Sequence, residues 1–285
     1  MAFSIIVKKI LLLGKGQIGT ALARDLTDFD VQIWQRDIDD LTRDELEVIA
    51  PDAIINAAGK TDLAWCEANA REAMRSNLEA PVRLYQRILG SNRDIRFIHF
   101  SSGCIWDGPY NSDGKPFTPD VAPTPACLYS WTKAAADAML LDLDPERIAI
   151  LRPRQVYSGN EHQRNSLIKL LRYPKLIDTP NSVSSIEVIE KTVRHVLTSK
   201  DWNGVWNVYD RGITSPLAIG EMLWKAGLRE QPFRISKEEL DAFHKPKRVD
   251  TVLSDQRFET QIQPEDVNLQ LTKAIEELKN VSQIL

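Results

Sequence analysis

Cysteine is scarce: Cys66, Cys104 and Cys127 are the only three in 285 residues, and no CxxC pair occurs. An odd, dispersed set argues against a disulfide framework or a zinc site and for a reducing, cytoplasmic setting. A surplus of one charge is also missing. The 36 basic residues face 40 acidic ones for a formal charge of −4, with no block of like charge. Binding driven by phosphate neutralisation shows a basic surplus, so no nucleic-acid partner is expected. Long apolar runs are absent too, because Lys8 and Lys9 divide Phe3–Val7 from Ile10–Leu13. Neither half reaches the length of a signal core or a membrane span, which makes a soluble protein with no membrane partner the expectation. The 4 histidines, His99, His162, His195 and His244, lack the spacing of metal ligands. No metal is expected, and each reads as structural or surface.

What is present is ordinary globular material, with 43% hydrophobic and 27% charged residues. The length accommodates one large domain or a main domain with an appendage. Short apolar runs at Ile10–Leu13, Val31–Trp34, Ile54–Asn56, Phe97–Phe100 and Ile148–Leu151 alternate with helical patterns at about 17–27, 42–49, 67–90 and 129–142. Thr42-x-x-Glu45 is a capping box for the second of these helices. Strand and helix alternating in this way predict an α/β fold with a Rossmann-like, doubly wound parallel sheet. After Pro153 the pattern turns to loops rich in Asn, Ser and Pro, helical patterns at about 186–198, 215–226, 236–243 and 267–280, and a strand at Val205–Val208. The expected organisation is a dinucleotide-binding platform over 1–152 and a small mixed substrate-binding region over 153–285, packed on the first. A crossing of the chain back between them is expected, and ligands of such sheets sit at the carboxyl ends of the strands.

Gly14-Lys15-Gly16-Gln17-Ile18-Gly19 follows the first strand and opens a helix. The first glycine permits the tight turn, the second lets backbone approach a pyrophosphate, and the third allows close strand–helix contact. At the end of the second strand Arg36 suits a 2′-phosphate, whereas Asp37 suits a free 2′-hydroxyl. NADPH is the expected cofactor, with NADH the alternative. Tyr129-Ser130-Trp131-Thr132-Lys133 sets Tyr and Lys four apart on one helix face. Reduction of a ketone leaves an alkoxide that needs a proton, and a tyrosine supplies it at neutral pH if a neighbouring cation, here Lys133, lowers its pKa. The strand ending at Phe100 delivers Ser101 and Ser102 as hydroxyls for a substrate carbonyl.

Together with Asn56-Ala57-Ala58-Gly59 and Asn77, these features resemble the extended short-chain dehydrogenase/reductases, and FSSGCIWDG with YSWTK resembles the nucleotide-sugar 4-ketoreductases such as dTDP-4-dehydrorhamnose reductase. A narrower resemblance runs through NAAGKTDLAWCE, SGCIWDG, LYSWTKA, LRPRQVYSGNEHQRNSLIKLLRYPKLIDTPNS and GVWNVYDRGITS. These strings are similar to the bifunctional nucleotide-rhamnose synthase/epimerase-reductases of plants and giant viruses. The resemblance implies a nucleotide-linked (dTDP or UDP) 4-keto-6-deoxyhexose substrate, inverted at C3 and C5 and reduced at C4. It also implies an epimerisation pair, Cys104 of the GCI motif and Lys169 after Arg164-Asn165. A C4 ketone acidifies the hydrogens on C3 and C5, so a base on one face and an acid on the other can invert each centre through an enolate. The thiolate would need a depressed pKa, for which Lys133 or the oxidised nicotinamide offers a positive field. Cys66 and Cys127 have no such partner and read as structural.

On this resemblance Gly14, Gly16, Gln17, Ile18, Gly19, Arg36, Ala57, Ala58, Gly59, Tyr129 and Lys133 contact the cofactor. Ser102, Gly103, Asn165 and Arg248 contact the substrate, with Asn165 holding phosphates or orienting Lys169. Three departures stand out. The Gly19–Ile54 segment is short for a full Rossmann half, Trp106-Asp107-Gly108 replaces a phenylalanine-containing string, and Val156-Tyr157 stands where the close relatives carry Met-Pro. Two rival readings remain: a 4-ketoreductase without epimerase activity, and a non-catalytic nucleotide-binding regulatory subunit of the same fold. A homodimer is the assembly common among such enzymes.

Overall fold

The computed structural model describes residues 7–243 and 245–282. The apolar residues at 3–6 and His244 lie outside the described residues. Six strands form one sheet: β1 (Lys9–Leu13), β2 (Asp30–Trp34), β3 (Ala53–Asn56), β4 (Arg96–Phe100), β5 (Ile148–Pro153) and, far along the chain, β9 (Gly204–Val208). They lie in the order β2-β1-β3-β4-β5-β9, and every pairing is parallel. Strands buried on both faces need apolar residues at every position. Accordingly, Ile10 and Leu12 pack on one face with α1 (Gln17–Asp25) and α8 (Ile186–Thr198). Leu11 and Leu13 pack on the other with α2 (Arg43–Ile49), α5 (Ala80–Leu89) and α6 (Leu128–Leu143). The capping box at Thr42 and Glu45 is formed in both directions.

With one strand–helix unit fewer on the β2 side, the order is that of flavodoxin-like sheets, and its switch point falls between β1 and β3. The short Gly19–Ile54 segment is the cause. The helical pattern over 67–90 is interrupted rather than continuous. It divides into α3 (Leu63–Ala68), α4 (Ala70–Met74), a wide π-turn at Arg75–Glu79 and then α5. Pro81 has no N–H with which to close an α-turn back to Asn77, and the chain widens there.

Beyond β5 the chain builds a cap from β6 (Val156–Tyr157), α7 (Ser166–Arg172), β7 (Lys175–Ile177) and β8 (Ser184–Ser185). It returns to the sheet with α8 and β9, continues the cap with α9 (Pro216–Lys225), β10 (Phe233–Ile235) and α10 (Lys237–Phe243), packs α11 (Gln256–Ile262) back on the sheet beside α8, and ends with α12 (Val267–Ser282) in the cap. Leu167, Ile219, Leu223, Leu271 and Ile275 form a core of their own in this cap. Among the described residues no helix is long and apolar enough to cross a membrane.

Behind the site, Arg152 donates from Nε to Asp137 at 2.9 Å, with the two side chains 5% and 2% exposed. Removing one partner of such a pair strands a buried charge. Asp137→Ala is therefore expected to cost about 3–5 kcal/mol, read as a lowered denaturant midpoint. A cost below about 1 kcal/mol would mean the pair behaves like a surface ion pair.

Candidate active site

At the end of β1, Gly14 has φ +104°, and a Cβ there would sit 2.6 Å from the backbone of Ala57 and Ala58. A Cβ on Gly19 would lie 2.0 Å from the Gly14 carbonyl oxygen. Both glycines are thus required by the protein's own packing. Gly16 is different, since only the Arg164 guanidinium comes near, at 3.7 Å. Gly16 also leaves α1 without a side-chain cap, and an uncapped helix start presents backbone N–H groups and a positive dipole end to an anion. A cleft of about 820 Å³ runs along this turn, lined by Gly14, Gly16, Arg36, Asp37, Ala57, Ala58 and Gly59 together with Arg164 from the cap. The Arg36 guanidinium stacks 4.3 Å from the Trp34 ring and pairs with Glu45. Asp37 turns one carboxylate oxygen back to the Asp39 N–H at 2.9 Å.

A second cavity, of about 350 Å³, adjoins it at Gly16, Ala57, Ala58 and Gly59. Ser102, Cys104, Tyr129, Lys133, Lys169 and Arg248 all line it, as do Gln17 and Ile18. The sheet supplies the first residues through the turn after β4, α6 supplies Tyr129 and Lys133, and the cap supplies Lys169 on α7 and Arg248. Ser102 Oγ caps the short turn that follows it by accepting from the Cys104 N–H at 3.0 Å. Ser101 lines the same wall, its hydroxyl buried and without a hydrogen-bond partner among the described residues.

The electrostatics depart from the sequence expectation in two places. Burial, and then the Cys104 charge, push the Tyr129 phenol up, while its hydrogen bond with Ser102 pulls it down; Lys133 is not among the influences. The reason is geometric, because Lys133 Nζ donates to the Phe100 carbonyl at 2.6 Å and lies 3.4 Å from His99 Nε2. Burial brings Lys133 down to about 8, and Asp137 opposes that shift. Burial and the Lys133 charge hold His99 neutral, and its Nδ1 meets Asn56 Nδ2 at 3.2 Å. The second departure concerns Cys104. The cation that touches its sulfur is Arg154, whose Nη1 donates at 2.6 Å, and not Lys133.

Lys169 is lowered by partial desolvation, then by the neighbouring Arg248 and Arg164. Asn165 does not line either cavity. It is wholly buried, caps α7 by accepting from the Leu167 N–H at 3.0 Å, and donates to the Ser158 and Asn160 carbonyls at 2.7 Å each. The Lys169 N–H reaches the Asn165 carbonyl at 3.1 Å in the first backbone turn of α7, and the Asn165 side chain bonds to Ser158, Asn160 and Leu167 rather than to the Lys169 ammonium. Gly103 is also buried away from the cavity lining, where a Cβ would meet Leu253 at 3.0 Å and Arg154 at 3.3 Å. Cys66 is buried, its thiol pushed up to about 11 chiefly by burial. Cys127 stands 3.2 Å from the Ser130 hydroxyl. Asn77, presented by the π-turn, binds both ends of the Lys60 peptide, at 2.8 and 2.9 Å, and so pins the loop after β3.

Among the polar residues of this site, Arg154, Arg164 and His99 had no role assigned from the sequence. Nothing local marks the first two, whose neighbours come from distant segments. His99 carried one signal, its place in the strand that ends at Ser101.

A Rossmann-like platform whose Ser, Tyr and Lys share one cavity under a small cap has the architecture of the extended short-chain dehydrogenase/reductases. The chain belongs to the RmlD substrate binding domain family, matched over residues 8–279. It is 26% identical over 220 residues to a bifunctional dTDP-4-dehydrorhamnose 3,5-epimerase/dTDP-4-dehydrorhamnose reductase of Arabidopsis thaliana, covering 70% of this chain and 71% of that one. Against a trifunctional UDP-glucose 4,6-dehydratase/UDP-4-keto-6-deoxy-D-glucose 3,5-epimerase/UDP-4-keto-L-rhamnose-reductase of the same plant it is 27% identical over 186 residues, 62% of this chain but only 27% of that protein's length. The fold is shared with the L780 UDP-rhamnose synthase of Acanthamoeba polyphaga mimivirus, at TM-score 0.84 and 21% identity over 94% of this chain and 99% of the other. It is shared too with RMD of Pseudomonas aeruginosa, solved with NADPH, at TM-score 0.74 and 17% identity over 97% and 99%.

The glycines give a direct test. Gly14→Ala is expected to destabilise the fold by more than about 1 kcal/mol, from its left-handed backbone and the clash with Ala57. Gly16→Ala should stay within about 0.5 kcal/mol. Equal losses in thermal melts of the two variants would contradict the distinction.

Proposed function

We propose that this chain is an NADPH-dependent reductase of a nucleotide-linked 4-keto-6-deoxyhexose, carried as dTDP or UDP, and that it epimerises C3 and C5 in the same cavity. The observation that carries this reading is the convergence of Ser102, Cys104, Tyr129, Lys133 and Lys169 on one cavity that meets the glycine turn. Its volume of about 350 Å³ falls within the range of small-ligand sites.

The dinucleotide's pyrophosphate would lie on the α1 start at Gly16, with Arg164 closing over it from the cap and Arg36 meeting a 2′-phosphate. NADPH supplies the hydride that reduces C4. Ser102 would donate a hydrogen bond to the C4 carbonyl, and Tyr129 would pass its phenolic proton to that oxygen as negative charge develops there. Ser102 lies within hydrogen-bond reach of the Tyr129 phenol, which sets the two hydroxyls at one carbonyl oxygen. Lys133, fixed by the Phe100 carbonyl, would hold the nicotinamide ribose. For epimerisation, Cys104 is carried by the turn after β4 and Lys169 by α7 of the cap. Inversion through an enolate would place the sugar ring between them. An intact Tyr129, Lys133 and Ser102 set also favours catalysis over a purely regulatory subunit, because nucleotide binding alone has no need of a proton donor.

Tyr129→Phe is expected to lower turnover about 10²–10⁴-fold, followed as loss of nicotinamide absorbance with a dTDP- or UDP-4-keto-6-deoxy-glucose. With NADPH withheld in D₂O, wild-type enzyme should place deuterium at C3 and C5, and Tyr129→Phe should retain that exchange. Reduction of a pre-epimerised substrate without any exchange would leave the ketoreductase alone. Arg36→Ala is expected to weaken NADPH about tenfold or more while sparing NADH, the loss of one charge-assisted contact. Equal effects on both dinucleotides would remove Arg36 from the phosphate site.

A further inference from the structure

Arg154 is 2% exposed, and a guanidinium stays protonated at any pH a protein survives. It sits at the end of β5, before Gln155, whose φ of +42° turns the chain sharply into the cap. Its Nη1 donates to Cys104 Sγ at 2.6 Å, its Nη2 donates to Asn181 Oδ1 at 2.7 Å and to the Val249 carbonyl, and its Nε is buried without a partner. Among the described residues no carboxylate pairs with it. The nearest one along these bonds, Asp250, is an amide away: Asn181 Nδ2 donates to it at 2.7 Å, and Lys237 pairs with it at 3.0 Å. A buried cation without a counter-charge costs several kcal/mol. Of the groups Arg154 touches, only the Cys104 thiol can acquire negative charge.

We propose that Arg154 is a positioning residue that holds Cys104 as the thiolate, and thereby fixes Cys104 as the base and Lys169 as the acid of the C3 and C5 exchange. This assignment of roles rests on the epimerase reading given above, whereas the ion pair itself does not. The thiolate takes the proton from the carbon next to the ketone, and the C–H electron pair passes into an enolate with its charge on O4. The Lys169 ammonium returns a proton to the other face, and the O4 pair collapses to the ketone. One C–H and one N–H break as one S–H and one C–H form. Proton transfer from thiol to amine through solvent restores the starting charges. Gly103, next to Cys104, packs closely on the Arg154 stem, where a Cβ would meet Arg154 at 3.3 Å.

Other ionisable groups face Cys104. Tyr129 and Cys127 do so from α6 and its start, Cys66 from α3, and Lys169 from α7, with Lys133 and Arg248 on the same cavity wall. Tyr129, Cys66 and Cys127 oppose the thiolate when they are themselves charged, as does Asp250 on the cavity wall, which is itself paired with Lys237. Lys169, Lys133 and Arg248 favour it, but Arg154 is the cation bonded to the sulfur.

The test is the pH dependence of Cys104 alkylation by iodoacetamide in the full chain, resolved by peptide mass spectrometry, with buried Cys66 as the unreactive control. In wild type the midpoint should lie well below the ordinary thiol value of about 8.5. Arg154→Gln should raise it by at least about one pH unit, and Arg154→Lys, which keeps the charge but not the fork, by less. A wild-type midpoint near the ordinary value, or an unchanged midpoint in folded Arg154→Gln, overturns the assignment. If Arg154→Gln does not fold, the wild-type midpoint and Arg154→Lys decide in the same way. The D₂O exchange is run in parallel, where Arg154→Gln should lose rate at pH 7 in proportion to the fall in thiolate fraction that its own alkylation midpoint gives, and recover it at high pH. A low wild-type midpoint without any exchange keeps the ion pair and overturns the base-and-acid assignment together with the epimerase reading. Exchange with an ordinary midpoint overturns the ion pair alone.

Discussion

Between the carboxyl ends of β1 and β3 the backbone of Gly14 lies against Ala57 and Ala58 so closely that a single Cβ, 2.6 Å from either, could not be accommodated. That contact brings the two halves of the parallel sheet together at the point where strand order reverses. Everything functional radiates from it. On one side the turn opens into the cleft bounded by Arg36 and Arg164; on the other Ala57, Ala58 and Gly59 form a shared wall with the cavity of Ser102, Tyr129 and Lys133. Asn77 secures the same loop from behind by holding the Lys60 peptide, which accounts for a wide turn in the middle of an otherwise helical stretch.

The cavity is also a problem in placing charge where water is excluded. Lys133 is balanced against a carbonyl oxygen and a neutral histidine rather than a carboxylate, and burial lowers it accordingly. Arg154 is held by an amide, a carbonyl and a sulfur. A cation held mainly by dipoles, as Lys133 is, remains able to respond to negative charge that appears during a reaction, because no fixed counter-ion is bonded to it. In the proposed chemistry such charge appears on the sugar oxygen and on the tyrosine, both within this cavity.

Much of this protein was legible along the chain. The inner strands that read as apolar runs are buried on both faces, with Ile10 and Leu12 on one side and Leu11 and Leu13 on the other, whereas the run at Val31–Trp34 is the half-buried edge strand β2. The glycine turn and the Tyr129–Lys133 spacing are likewise local patterns, one set by a backbone turn and the other by helical periodicity. The 67–90 pattern misled only in its continuity, since apolar spacing carries across a π-turn while Pro81 alone hints at the break. Gly103 and Asn165 illustrate the opposite difficulty. Their motifs are recognisable, yet one packs on Arg154 and the other spends its polar atoms on the loop that holds α7.

By itself the sequence determined the parallel sheet, the dinucleotide turn and the identity of the hydroxyl and ammonium groups at the strand ends, because each depends on neighbours within a few residues. Only the tertiary structure decided which charges meet. Arg154 reaches Cys104 across 50 positions and Lys133 reaches His99 across 34. The side of the cavity from which Lys169 approaches is set by how the cap returns over the sheet. Electrostatic partners are chosen by distance in space and by burial, and neither quantity is written in the local order of residues.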